Sequence, residues 1–201
     1  GRKLVLEKDD FDSAMRGILA SGKGSSEMSV DTQRVLSDIL AYIFNSFDRS
    51  NSGKPNALEI ACGFTVLCNG KKSDKLEHAF EVLDKNRVGK LPRSEMQNYL
   101  RSFLTVLLCV TCSNYLQRDV DEDKMVFMDG SPCEMDPSTV SKAAEVGSEW
   151  AASQAFKGCF SGRAEEDMLN FDDFADWYTR KGYSCIPWLE LLDLRKWVIT
   201  T

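Results

Sequence analysis

Two twelve-residue stretches of one skeleton, thirty-six residues apart, constrain this chain more than any other feature. The first is Asp48-Arg-Ser50-Asn-Ser52-Gly53-Lys54-Pro-Asn56-Ala-Leu-Glu59, and the second is Asp84-Lys-Asn86-Arg-Val88-Gly89-Lys90-Leu91-Pro92-Arg-Ser-Glu95. The first places oxygen-bearing side chains at loop positions 1, 3, 5 and 9, Gly at 6 and Glu at 12. A hard cation takes about six to eight oxygens, which a short loop supplies only if alternate residues point inward and a bidentate Glu closes the far side. The backbone must turn sharply at position 6, where Gly accepts a positive φ. One match of Asp, Gly and Glu at this spacing could be chance, but two at a helix-loop-helix repeat distance are hard to dismiss.

Composition bounds what surrounds these loops. With 201 residues, 43% of them hydrophobic, the chain can bury a core as one or two compact lobes. The formal net charge of −6 argues against a nucleic-acid partner, since no basic stripe is present to neutralise phosphates. Seven cysteines, at 62, 68, 109, 112, 133, 159 and 185, are an odd number in a chain large enough to need no staples. They read as reduced thiols of an intracellular protein rather than a disulfide framework. The reduced thiols make the expected location cytoplasmic, with cytoskeletal association open; no apolar run approaches the roughly 18 residues that span a bilayer. The opening Gly-Arg-Lys-Leu-Val-Leu lacks the Ser or Thr of an N-myristoylation signal and reads as a domain edge.

Apolar spacings of three and four recur almost throughout, which predicts an all-α fold. Phe11, Met15, Ile18 and Leu19 mark a helix over about 8–20, and Val35 to Phe47 line a long helix running into Asp48. Leu58 to Leu67 give the exit helix, which Asn69-Gly70 ends. Ser73 is the expected N-cap of the next helix, and Met96 to Leu107 continue beyond Glu95 to about Tyr115. Residues 119–140, acidic and then rich in Gly and Pro, read as an inserted loop. It opens like an ion site, with Asp119, Asp121 and Asp123, but position 6 is Lys124 and position 12 is Gly130. The helical pattern resumes over Ala143 to Phe156. The segment 162–173 then repeats the loop architecture with Leu169 at position 8 and Asp173 at position 12, while Gly162 and Ala164 replace ligands. Phe174, Trp177 and Tyr178 follow as its exit helix with Gly182 as its stop, and a last helix starts at Pro187 and carries Trp188, Trp197 and Val198. The expected domains are 1–118, holding both good loops, the insert 119–140, and 141–201.

Residues 40–110 resemble the second and third hands of the neuronal calcium sensor family, and more broadly the EF-hand proteins of calcineurin B and calmodulin type. The resemblance lies in Ile43-Phe44-Asn-Ser-Phe47-Asp48, Gly63-Phe-Thr-Val-Leu67-Cys-Asn-Gly70, Asp74 to Asp84, and Ser94-Glu95-Met96. It implies two clear hands, a degenerate third and a vestigial N-terminal one. It also implies calcium binding and an apolar groove that holds an amphipathic helix of a protein partner. The departures are that Ser50, Ser52 and Val88 stand where such loops usually carry Asp or Asn. Pro55 also occupies position 8, where a backbone N–H normally pairs with the neighbouring loop.

The expected metal ligands are Asp48, Ser50, Ser52, the Lys54 carbonyl, Asn56 and Glu59. With only two carboxylates among them, binding should be weak, about 10⁻⁴ M or poorer, or absent. In the second loop Asp84, Asn86, Lys90 and Glu95 form a poorer set, because Val88 offers no oxygen. The groove should be walled by Phe64, Leu67, Phe80, Leu100, Phe103 and Leu107, with Trp188 and Trp197 on a last helix that is either core or a plug in that groove. Enzymatic readings fare worse. His78 is the single histidine and lies mid-helix, Cys109 and Cys112 sit among Leu107, Leu108 and Val110 with no preceding strand, and Gly22-Lys-Gly24 lacks the strand of a phosphate loop. Two functions stay open: a regulatory adaptor weakly modulated by calcium, and a calcium-independent structural subunit of a larger, for example cytoskeletal or axonemal, assembly.

Overall fold

The computed structural model of the chain describes residues 4–21, 28–116, 136–160 and 168–193. The fold is all-α. Helices α1 (Lys8–Ser21), α2 (Val30–Phe47), α3 (Ala57–Phe64), α4 (Lys72–Leu83), α5 (Arg93–Leu116), α6 (Pro137–Cys159) and α7 (Phe171–Trp177) follow in order. A 3-10 turn at Thr65–Leu67 extends α3. After α7 come a π-helical turn at Tyr178–Gly182, the short α8 (Tyr183–Cys185) and a 3-10 helix at Pro187–Leu192. Two three-residue strands, β1 (Lys90–Pro92) and β2 (Met168–Asn170), pair antiparallel with Leu91 opposite Leu169. The acidic opening of the insert at 119–135, the front of the 162–173 loop, and Trp197 lie outside the described residues.

The 48–59 and 84–95 loops each pair with another segment of the chain. Position 8 of the 84–95 loop, Leu91, pairs with position 8 of the 162–173 loop, Leu169, and both side chains are buried. The 48–59 loop pairs instead with the N-terminal stretch 4–6. Leu6 N–H donates to the Pro55 carbonyl at 3.0 Å and Ala57 N–H to the Leu4 carbonyl at 2.9 Å, with Val5 opposite Asn56. This register uses the carbonyl of Pro55 and asks nothing of its missing N–H. The chain forms two compact units, Gly1–Ala57 with Leu108–Lys142, and Leu58–Leu107 with Ala143–Thr201. The segment 58–107 joins 143–201 because its loop pairs there.

Each unit has its own apolar centre. In the first, Phe11 and Phe44 meet at 5.1 Å between ring centres, and Tyr42, Ile43 and Phe47 are buried. In the second, Tyr99 stands among Phe80, Phe103 and Phe174 at 5.1–5.9 Å, edge to face, and its hydroxyl donates to the Leu76 carbonyl at 3.1 Å. Burial pushes the Tyr99 phenol well above its ordinary range.

Local signals explain several shifts of boundary. The helix expected from Ala143 begins six residues earlier, because Pro137 sits at its first turn and Asp136 caps it, accepting from Thr139 N–H at 2.6 Å. Ser73 is not a cap; the residue before α4 is Lys71, which makes no side-chain capping bond. Gly182 is not a stop either. It is helical, with φ −63°, and small because ring atoms of Trp177 lie 2.8 Å from where a Cβ would be. Gly158 faces the same indole still more closely, at 1.8 Å from Nε1. Of the helix expected over 187–198, 194–198 lie outside the described residues, and Pro187–Leu192 form a 3-10 helix. Its Leu189 and Leu192, with the preceding Ile186, are fully buried, so this stretch is core. Lys75, itself buried, holds its end by donating to the Leu192 carbonyl at 2.8 Å and the Val66 carbonyl at 3.1 Å.

Gly158→Ala is therefore expected to cost about 1–3 kcal/mol in urea unfolding, the usual penalty of overpacking. Its near-ultraviolet circular dichroism should change as the Trp177 ring is displaced. A loss below about 0.5 kcal/mol, the range of an ordinary surface change, would contradict this packing.

Candidate calcium-loop site

The two loops carry the same backbone cradle. In the first, Asp48 Oδ2 accepts from Gly53 N–H at 2.6 Å, and Oδ1 accepts from Ser50 Oγ at 3.3 Å and Ser52 Oγ at 3.2 Å. In the second, Asp84 Oδ2 accepts from Gly89 N–H at 2.6 Å and Oδ1 from Val88 N–H at 3.2 Å. Gly53 and Gly89 take φ +72° and +71°, with Asn51 and Arg87 also left-handed before them. The sixth-position glycine is what lets each loop fold back onto its first aspartate. Burial works to raise the carboxyl of Asp48, but hydrogen bonds from Gly53, Ser52 and Ser50 outweigh it and hold the group below its ordinary range.

The closing glutamates are already engaged by cations of the chain itself. Glu59 is buried, and its Oε2 accepts from the Arg101 guanidinium at 3.2 Å. Arg101 is fully buried, and its Nε lies 3.0 Å from Glu145 Oε2, whose other oxygen accepts from Gln97 at 2.7 Å. Glu95 faces Lys85 at 3.5 Å and Asn98 at 3.3 Å. In the third loop Asp173 is the third residue of α7. Its N–H donates to Asn170 Oδ1 at 2.7 Å and its carboxylate accepts from Asn170 Nδ2 at 3.0 Å, so it serves the helix start. Among the described residues no group of three or more His, Cys, Asp or Glu side chains could hold a metal ion. The donor chemistry of the first loop nonetheless fits a hard cation, because Asp48, Ser50, Ser52, the Lys54 carbonyl, Asn56 and Glu59 all offer oxygen.

The residues expected to wall a groove are mostly interior. Phe80, Leu100, Phe103 and Leu107 are buried at 0–4% exposure, whereas Phe64 is half-buried and Leu67 exposed. The second unit carries an open cleft of about 560 Å³ between α4 and α7, lined by Ser73, Leu76, Phe171, Phe174, Ala175, Tyr178, Thr179 and Tyr183. Lys72 and Glu190 stand at its edge as an ion pair, with the Lys72 ammonium 4.8 Å from the Tyr178 ring centre. Tyr178 donates to Glu190 at 2.7 Å, and burial first, then this bond, raises its phenol. Trp188, half-buried, is not among the residues lining this cleft.

Sequence reasoning missed Arg101 and Lys75. The available signal was a single cation at 101 set between Leu100 and Phe103, on the inward face of a helix otherwise reading as apolar.

Comparison with known proteins agrees with this architecture. No protein-family model matches the chain. The calcium-binding protein NCSA of Dictyostelium discoideum is 35% identical over 89 residues, 44% of this chain and 46% of that protein. Human calaxin is 33% identical over 66 residues, 33% of this chain and 31% of its own length. A calcium and calcium/calmodulin-dependent serine/threonine-protein kinase of Pisum sativum is 37% identical over 62 residues, which is 12% of the kinase. The chain thus spans less than half the length of these relatives. It is related to the EF-hand superfamily, at modest identity over part of its length. No described helix is long and apolar enough to cross a membrane.

The lowered carboxyl of Asp48 fixes a sign. Its contribution is present above the ordinary carboxylate range and is lost as pH falls through its depressed folded-state value. Asp48→Asn should cost about 1–2 kcal/mol near pH 7, the scale of hydrogen bonds to a charged group, and much less near pH 3. Urea unfolding at the two pH values measures this, and an equal loss at both would contradict it.

Proposed function

We propose that this chain is an EF-hand adaptor of the regulatory type. It holds an amphipathic helix of a protein partner, and calcium modulates it weakly through the 48–59 loop. The observation that carries the reading is the contrast within the loops. Asp48 and Asp84 keep the cradle of an ion-binding turn, while both closing glutamates are occupied by Arg101 and Lys85. A calcium ion at 48–59 would draw on Asp48, Ser50, Ser52, the Lys54 carbonyl, Asn56 and Glu59, and would supply positive charge where Asp48 and Glu59 are negative. Two carboxylates place such a loop at the weak end of the affinity range. A ligand shifts an equilibrium only by its differential affinity, so weak binding drives little opening.

Partner docking is supported by the cleft between α4 and α7. Its floor is apolar and its volume, about 560 Å³, suits one or two anchoring side chains. The formal charge of −6 favours a helix with basic residues on its polar face. A second reading, a calcium-independent structural subunit, is favoured by one observation, the buried pairing of Glu59 with Arg101. A cytoskeletal or axonemal assembly is one setting for that reading, and a cytoplasmic location suits both.

A fluorescent 18-residue amphipathic helix of Leu and Lys tests both readings by anisotropy. Ala175→Trp, which fills the cleft, should weaken binding at least tenfold without loss of fold. Addition of 0.1 mM calcium should alter the affinity less than about threefold, since that concentration only reaches the weak end of loop affinities. Binding unchanged by Ala175→Trp would remove the cleft from the account. A large saturable calcium effect in the micromolar range would restore a true sensor.

A further inference from the structure

Arg101 is the largest fully buried side chain described in the chain, and it is charged. Taking a guanidinium out of water is costly unless partners compensate it closely. Here the partners are Glu59, from the start of α3, and Glu145, from α6. Glu59 is no arbitrary carboxylate. It stands at position 12 of the 48–59 loop, the place from which a calcium loop is closed. We propose that Arg101 is a resident cation that occupies the closing carboxylate of the first hand, so that calcium must displace it and the affinity of the loop is set by that competition. This rests on the reading of 48–59 as the loop where calcium binds.

The geometry makes the exchange possible rather than prohibitive. Removing the sole partner of a buried cation would strand its charge, but Arg101 has a second carboxylate at 3.0 Å. Glu145 is itself held by Gln97 at 2.7 Å and its side chain is 39% exposed, so this half of the network persists when Glu59 turns away. Arginine suits the role better than lysine, because its fork reaches two carboxylates at once and stays charged throughout the accessible pH range.

Calorimetric titration of the whole chain with calcium tests the competition in three proteins: the natural chain, Arg101→Met, and Arg101→Met with Glu59→Gln. The expected result is at least tenfold tighter calcium binding in Arg101→Met, with that gain lost when Glu59→Gln is added. Equal affinity with and without Arg101, with binding in both backgrounds still lost on Glu59→Gln, would overturn the competition while leaving the loop as the calcium site. A tightening that Glu59→Gln does not remove would place the ion elsewhere and overturn both. Where Arg101→Met folds only in calcium, the metal is supplying the missing charge, which is the expected behaviour. Where it does not fold at all, the Arg101 guanidinium NMR signal of the natural chain decides. Slow proton exchange in calcium-free buffer, lost as calcium binds, supports the pairing; fast exchange without calcium contradicts it.

Discussion

The structure depends on the pairing of short loop segments, because a single helix-loop-helix cannot bury its apolar face alone. Leu91 against Leu169 does this in one unit, and Leu4 to Leu6 against Pro55 to Ala57 does it in the other. Once those backbones are joined, the helices leaving them have fixed directions, and their apolar stripes meet. The ring cluster around Tyr99 then closes the second unit, and Phe11 with Phe44 the first. Hydrophobic burial supplies the drive, at roughly 25 cal/mol per Å² of apolar surface removed from water, while the paired strands decide which surfaces are buried together.

The same arrangement separates two properties that the superfamily usually joins. The cradle around Asp48 and Asp84 is made by hydrogen bonds of the chain. The closing glutamates then face Arg101 and Lys85, the first of these cations fully buried. Positive charge that an ion would bring is thus supplied, at least in part, by side chains. Under the proposed competition, such a hand would hold its helices in place with or without calcium, and a metal would act against a competitor already in position.

Much of this was legible in the residues. Asp, Gly and Glu at positions 1, 6 and 12 located both loops, and periodicity located most helices, since each depends on local spacing alone. Leu169 and Asp173 marked the third loop for the same reason. Long-range choices were not legible. Which loop pairs with which depends on a register fixed by tertiary packing, which local spacing does not reveal. Pro55 pointed to a lost donor but not to the N-terminal stretch that pairs through its carbonyl. Phe80, Leu100, Phe103 and Leu107 read as a groove because helical spacing shows only that a face is apolar, not what already covers it. Arg101 escaped notice because a cation in a helix usually means solvent, and its partners lie 42 and 44 residues away in sequence.

The central claim is that the chain's own groups, and not calcium, hold the loops in their paired and cradled form. Hydrogen exchange at the amides of Leu6, Gly53, Ala57 and Gly89 tests it most directly, since each donates a bond that defines a pairing or a cradle. The account predicts the same strong protection at all four in excess chelator and in 1 mM calcium, a concentration beyond the weak end of sensor-loop affinities. Protection that appears only when calcium is added would contradict it.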